Sequence, residues 1–136
     1  MIQQYKLLLH VNFQREIEDF RGQFNDTTRP LAEKQLTTAL EKIRSAPFSE
    51  KAIKAITNKK LKGVVRRIHV GGRSGYRLFY LCPPNCDLII PFYLSKYRRS
   101  NFEYDDYTIE EIETVALPIL NDFKNNNTDQ FTNWAK

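Results

Sequence analysis

Three side chains stand where a buried core would not choose them. Arg67 and His69 lie two residues apart in the run Val64–Val70, and Arg77 interrupts the apolar run Tyr76–Leu81. Both runs read as β-strands, in which side chains alternate between faces. Arg67 and His69 therefore share a face with Val65, and Arg77 shares one with Phe79 and Leu81. The other face of the first run carries Val64, Ile68 and Val70, with Arg66 as the exception. Two guanidinium groups and an imidazole suit an anion: permanent positive charge, and one ring that titrates near neutrality. An arginine placed in a core strand without a reason costs on the order of several kcal/mol in desolvation. It needs a carboxylate partner or a solvated cleft. Asp87 is the only acid in the sequence between residues 51 and 100, so the cleft is expected.

The charge distribution points the same way. Residues 51–100 hold twelve Lys or Arg against that one acid, a local +11, while the rest of the chain nets −6 and the whole +5. So lopsided a block suggests a polyanionic partner, nucleic acid first. A solubilising surface would explain basic residues on loops, but not their recurrence at alternating strand positions.

The elements that must position these residues follow from periodicity. With 136 residues, 41% hydrophobic and 12% aromatic, the chain has one domain's worth of core. Tyr5–Val11 reads as a first strand. Asn12 can cap a helix with Phe13, Ile17, Phe20 and Phe24 on its apolar side. A second helix begins near Pro30, carries Ala32, Leu36, Leu40 and Ile43, and stops at Pro47. Ser49–Lys60 reads either as a helical turn or as a loop packed on the sheet through Ile53 and Ile56. Val64–Val70, Tyr76–Leu81 and Asp87–Leu94 form an antiparallel meander, with Pro91 off the ladder or at a bulge. A last helix starts at the capping box Thr108–Glu111 and runs through Ile109, Ile112, Val115, Ala116, Ile119 and Phe123, kinked at Pro118. The expected class is α+β, β-α-α-β-β-β-α, a small antiparallel-rich sheet with a helical hairpin on one face. The other face is expected open or partly closed, presenting Arg67, His69 and Arg77. Residues 1–123 form a single domain, and 124–136 a polar, frayed tail.

Cys82-Pro-Pro-Asn-Cys86 reads as a tight turn with two incidental thiols, a disulfide across it being the alternative; two thiols without further ligands make no metal site. The opening MIQQYKLLLHVNFQREIE is too short and too interrupted for a membrane span.

Four segments together, LKG (61–63), RRIHV (66–70), SGYRLFY (74–80) and SKYRRSNFEY (95–104), resemble the RelE/ParE superfamily of type II toxin–antitoxin toxins. Within it they resemble RelE-type ribosome-dependent mRNA interferases. The resemblance spans about Tyr5 to Tyr104, and SGYRLFY is its most specific piece. It implies a cytoplasmic endoribonuclease that uses no metal and no cofactor. Such an enzyme cuts mRNA in the ribosomal A site: the 2′-hydroxyl attacks the adjacent phosphate, leaving a cyclic or 3′-phosphate and a 5′-hydroxyl. It arrests translation and growth. Its implied partners are a cognate antitoxin, ribosome-bound mRNA and ribosomal RNA, with no membrane.

Carried over by residue, Arg77 matches the arginine that stabilises the transition-state phosphate. Arg67 and His69 match a basic pair, usually lysines, that positions the phosphate and moves protons. His69 departs from lysine, and a neutral imidazole suits a base. The general acid falls on Tyr97 or, one residue along, on Arg98. The base-stacking aromatic falls on Tyr104, with Tyr97 and Tyr93 as rivals. Lys59, Lys60, Lys62, Arg66, Arg73, Lys96, Tyr97 and Arg99 are candidate contacts to RNA phosphates and bases.

Plainer roles exist for each: an ion pair for Arg77, a half-buried strand histidine for His69, a solvated face for the lysines. Two other functions also share these features. A ParE-like poison of DNA gyrase acts by binding and needs no convergent base, arginine and aromatic. A non-toxic basic RNA- or DNA-binding module binds without cutting. The stretch Glu103–Glu113, with six acids and no base, is a solvated helix start, a restraint on the basic face or an antitoxin dock.

Overall fold

The computed structural model describes residues 5–54, 56–71, 76–96 and 106–134, with backbone alone for 96 and 106–108. Along the chain these form β1 (Lys6–His10), α1 (Val11–Gly22), α2 (Arg29–Ser45), β2 (Val65–Val70), β3 (Tyr76–Leu81), β4 (Leu88–Lys96), α3 (Asp106–Lys124) and β5 (Phe131–Asn133). The fold is α+β in the expected order, with one strand added. The sheet runs β2-β3-β4-β1-β5. β2, β3 and β4 are an antiparallel meander, β1 lies parallel to β4, and β5 pairs antiparallel with β1.

The α1 and α2 stripes do what their spacing predicts. Phe13, Phe20, Leu36, Leu40 and Ile43 bury against Leu7, Ile68, Leu78, Tyr80 and Ile89 on one face of the sheet. Pro30 sits in the first turn of α2, and beyond the helix Pro47 opens a short 3-10 turn, Pro47–Ser49. The cap of α1 differs from expectation. It is His10, in extended conformation, whose ring Nδ1 accepts the Asn12 N–H at 3.0 Å. Because Nδ1 accepts, the ring proton is on Nε2, which donates to Asp122 at 2.7 Å. One buried ring thus joins β1, α1 and the end of α3.

The second face is less open than expected. α3 lies across it, and Ile109, Ile112, Ala116 and Ile119 bury against Val65, Phe79, Ile90 and Phe92. The segment after α2 is the packed loop, not the helical turn: Ile53 and Ile56 join this second core, and Ala52 bridges Arg66 on the β2 edge. α3 begins at Asp106, so Thr108 lies inside the helix rather than at its cap. Tyr80 pairs with Pro91 and Phe79 with Tyr93, so Phe92 is the extra residue of a bulge, beside the proline that has no N–H to give. Residues 128–134, expected as a frayed tail, form a 3-10 turn and β5. Phe131 meets the His10 ring edge-on at 5.1 Å, and the Trp134 N–H donates to the Leu7 carbonyl.

Cys82 and Cys86 are free thiols on a tight turn where Asn85 takes a left-handed φ of 62°. Burial pushes the Cys82 thiol up to about 12, which leaves it an unreactive packing group. No helix among the described residues is long and apolar enough to cross a membrane.

Candidate active site

The site is built on the register of three strands. His69 of β2 is paired with Arg77 of β3, and Arg77 with Ser95 of β4. The Val65 carbonyl and the Arg67 N–H point out of the sheet, to Ile53 and Lys51 of the packed loop. Residues 65, 67 and 69 thus turn their backbone groups away from β3. His69 and Arg77 are therefore a non-hydrogen-bonded pair, in which opposed side chains come closest, with Cα atoms about 4.5 Å apart. Arg67 lies two residues back on the same face, opposite Phe79.

The side chains complete the cluster. Arg67 Nη1 donates to His69 Nε2 at 3.0 Å. Guanidinium has no lone pair to offer, so Nε2 is the acceptor and Nδ1 carries the ring proton. Partial burial, then the charges of Arg67 and Arg77, lower the basicity of His69 below the ordinary value of 6.5, against an opposing pull from Glu50. The ring is neutral at pH 7. Arg77 is only 8% exposed, whereas Arg67 is half-buried and His69 exposed. The expectation of Arg77 in a solvated cleft is corrected: its side chain is buried, while Arg67 and His69 lie nearer the surface. A largely desolvated cation thus backs a neutral base and a half-buried guanidinium.

Glu50 went unnoticed in the sequence because it stands one position before the acid-poor window. The β2-edge bridge at Ala52 brings it beside His69, with its carboxylate 3.7 Å from Lys42 Nζ. Between α2 and β2 lies a cleft of about 430 Å³ lined by Leu31, Lys34, Gln35, Lys42, Glu50 and His69.

Tyr93 makes packing and hydrogen-bond contacts inside the fold. Its ring stacks on Phe79 at 5.9 Å, and its hydroxyl donates to Glu111 of α3. Burial, then that bond, pushes the phenol up. Burial likewise raises the carboxyl of Glu16, against the Leu94 N–H that lowers it.

The other candidate contacts to RNA fall into four sets. Lys59, Lys60 and Lys62 are exposed together on the loop before β2, whose head is held by Glu113 of α3. Arg66 ties the turn before β2: its guanidinium donates to the Phe48 and Glu50 carbonyls and lies 5.1 Å from the centre of the Phe48 ring. Lys96 ends β4 opposite Tyr76. Arg73, Tyr97, Arg98, Arg99 and Tyr104 lie outside the described residues. Among the described residues, no group of three or more His, Cys, Asp or Glu is placed to hold a metal ion.

No protein-family model and no curated protein sequence matches the chain. Among solved structures it is similar to a double arginine-to-alanine variant of the Escherichia coli toxin RelE in the free state, at 20% identity and a TM-score of 0.48, over 86% of this chain and 98% of that one.

Proposed function

We propose that this protein is the toxin of a type II toxin–antitoxin system and acts as an endoribonuclease on ribosome-bound mRNA. The observation that supports this reading is the convergence of neutral His69, Arg67 and buried Arg77 on one patch of three paired strands. The sequence resemblance, the basic surface and the cleft beside His69 agree with it.

The chemistry follows from the groups present. An incoming phosphate draws the Arg67 fork onto its oxygens, because a charged bidentate acceptor outcompetes an imidazole lone pair. That releases His69 Nε2 to take the 2′-hydroxyl proton. The 2′-oxygen attacks phosphorus, charge grows on the equatorial oxygens, and Arg77 lies ready to meet it. The bond to the 5′-oxygen breaks, and that oxygen takes a proton from the general acid, Tyr97 or Arg98. The products are a 2′,3′-cyclic phosphate and a 5′-hydroxyl. No step calls on a metal or cofactor.

The test is cleavage of message on programmed ribosomes against the same RNA free in solution, for wild type and Arg77→Ala. Cutting of bound message alone, lost in the variant, supports the proposal. An inert wild type sinks it, and gyrase inhibition or simple nucleic-acid binding then leads.

A further inference from the structure

We propose that Glu113 of α3 is a positioning residue that sets the shape of the lysine loop, residues 57–62, and thereby its grip on RNA phosphates. The inference rests on the nucleic-acid reading above and adds α3 to the binding apparatus.

One carboxylate oxygen holds the head of this loop. Glu113 Oε2 accepts from the Thr57 N–H at 3.0 Å, the Asn58 N–H at 3.0 Å and the Thr57 hydroxyl at 3.4 Å. Asn58 then shapes the remainder of the loop. Its side-chain oxygen accepts the Lys60 N–H at 2.9 Å, and its carbonyl accepts the N–H groups of Leu61 at 3.1 Å and Lys62 at 2.9 Å. Ile56 and Leu61 are buried on either side, in the same core as Ile112 and Ala116 of α3. The backbone is thus clamped from head to tail, while Lys59, Lys60 and Lys62 stand exposed. Two successive N–H groups aimed at one oxygen form an anion cradle, and here the protein's own carboxylate fills it.

Charge alone and positioning predict opposite signs. A carboxylate beside an RNA-binding loop repels phosphate, so on charge alone its removal tightens binding. If Glu113 shapes the loop, its removal scatters the three ammonium groups and weakens binding.

The experiment measures binding of a short 2′-O-methylated single-stranded RNA, which cannot be cut through its 2′ position, by the full chain across a salt series, with melting curves alongside. Glu113→Ala is expected to weaken binding about tenfold. It also flattens the slope of log K against log salt by about 2, since each lost single-strand phosphate contact is worth about 0.7. Glu113→Gln keeps an acceptor oxygen and stays within about twofold of wild type. Glu113→Asp keeps the charge but falls one methylene short, and weakens binding like alanine. The aspartate variant decides the matter if the alanine variant does not fold. Binding unchanged or tighter in the alanine and aspartate variants overturns the inference. In wild type, replacing Lys59, Lys60 and Lys62 with alanine separates the two levels. No effect there means the loop does not grip RNA and the inference falls, while the nuclease reading stands or falls on its own cleavage test; a loss there with no effect at Glu113 sinks the positioning role alone.

Discussion

Burial should rank the two arginines of the site. Arg77 is 8% exposed and Arg67 half-buried, so the same unit charge acts through different surroundings. At about 4 Å from a phosphate charge, a guanidinium contributes about 4 kcal/mol at an effective dielectric near 20 and about 1 kcal/mol in water. Arg77→Met should therefore slow cleavage by roughly a thousandfold, and Arg67→Met by roughly fivefold to tenfold, since about 1.4 kcal/mol is a factor of ten. Methionine keeps most of the chain length and removes only the charge and its donors. The assay is single-turnover cleavage of programmed ribosomes at saturating enzyme, which separates chemistry from binding. Melting curves confirm that both variants fold. Equal losses, or a larger loss at Arg67, would refute the reasoning, because the phosphate would then not sit against the buried charge.

Four other outcomes follow from His69, Tyr80 and Gly71. His69 is held below its ordinary 6.5, so the base stays competent above that value and the acid limb of the cleavage profile falls below it; Arg67→Met should move the limb upward and His69→Gln should abolish it. The same lowered value makes His69 a stability contribution that is intact above 6.5 and lost as pH falls through its folded value, seen as a declining urea midpoint. Tyr80 is fully buried and its hydroxyl donates to the Pro47 carbonyl at 2.7 Å, so Tyr80→Phe should cost about 2 kcal/mol in urea unfolding, one net bond plus an orphaned acceptor. Gly71 has a φ of 83°, and an added Cβ would meet Gln35 Oε1 at 2.7 Å, so Gly71→Ala should lower stability by about 1–2 kcal/mol and disturb the cleft beside His69.

What the sequence revealed was local and periodic. Tyr76–Leu81 is a strand from end to end, as a short, nearly unbroken apolar run bounded by turns requires, and both hairpin helices bury the expected stripes. That Arg67 and His69 share a face followed from the period of two alone; that Arg77 joins them depends on the register that pairs it with His69. What it concealed depends on distant pairings. β5 is three residues of Phe-Thr-Asn with no pattern of its own, and exists because β1 offers it a ladder. Arg66 looked like its neighbour Arg67, but alternation turns it toward the Pro47–Glu50 turn, whose carbonyls hold it. Glu50 and Glu113 carry no local mark of their positions; each reaches the site through an element folded elsewhere.

The position of β1 sets an order of events during synthesis. The ribosome makes this strand before either of its neighbours in the sheet, which begin at Leu88 and Phe131. The His10 ring waits 112 residues for Asp122. The hairpin helices and the β2–β4 meander can assemble while the chain is still emerging, but β1 keeps an unpaired edge until β5 has left the exit tunnel. Such distant closure is slow, and a nascent chain stalled before β5 would expose a strand edge ready to pair with another chain.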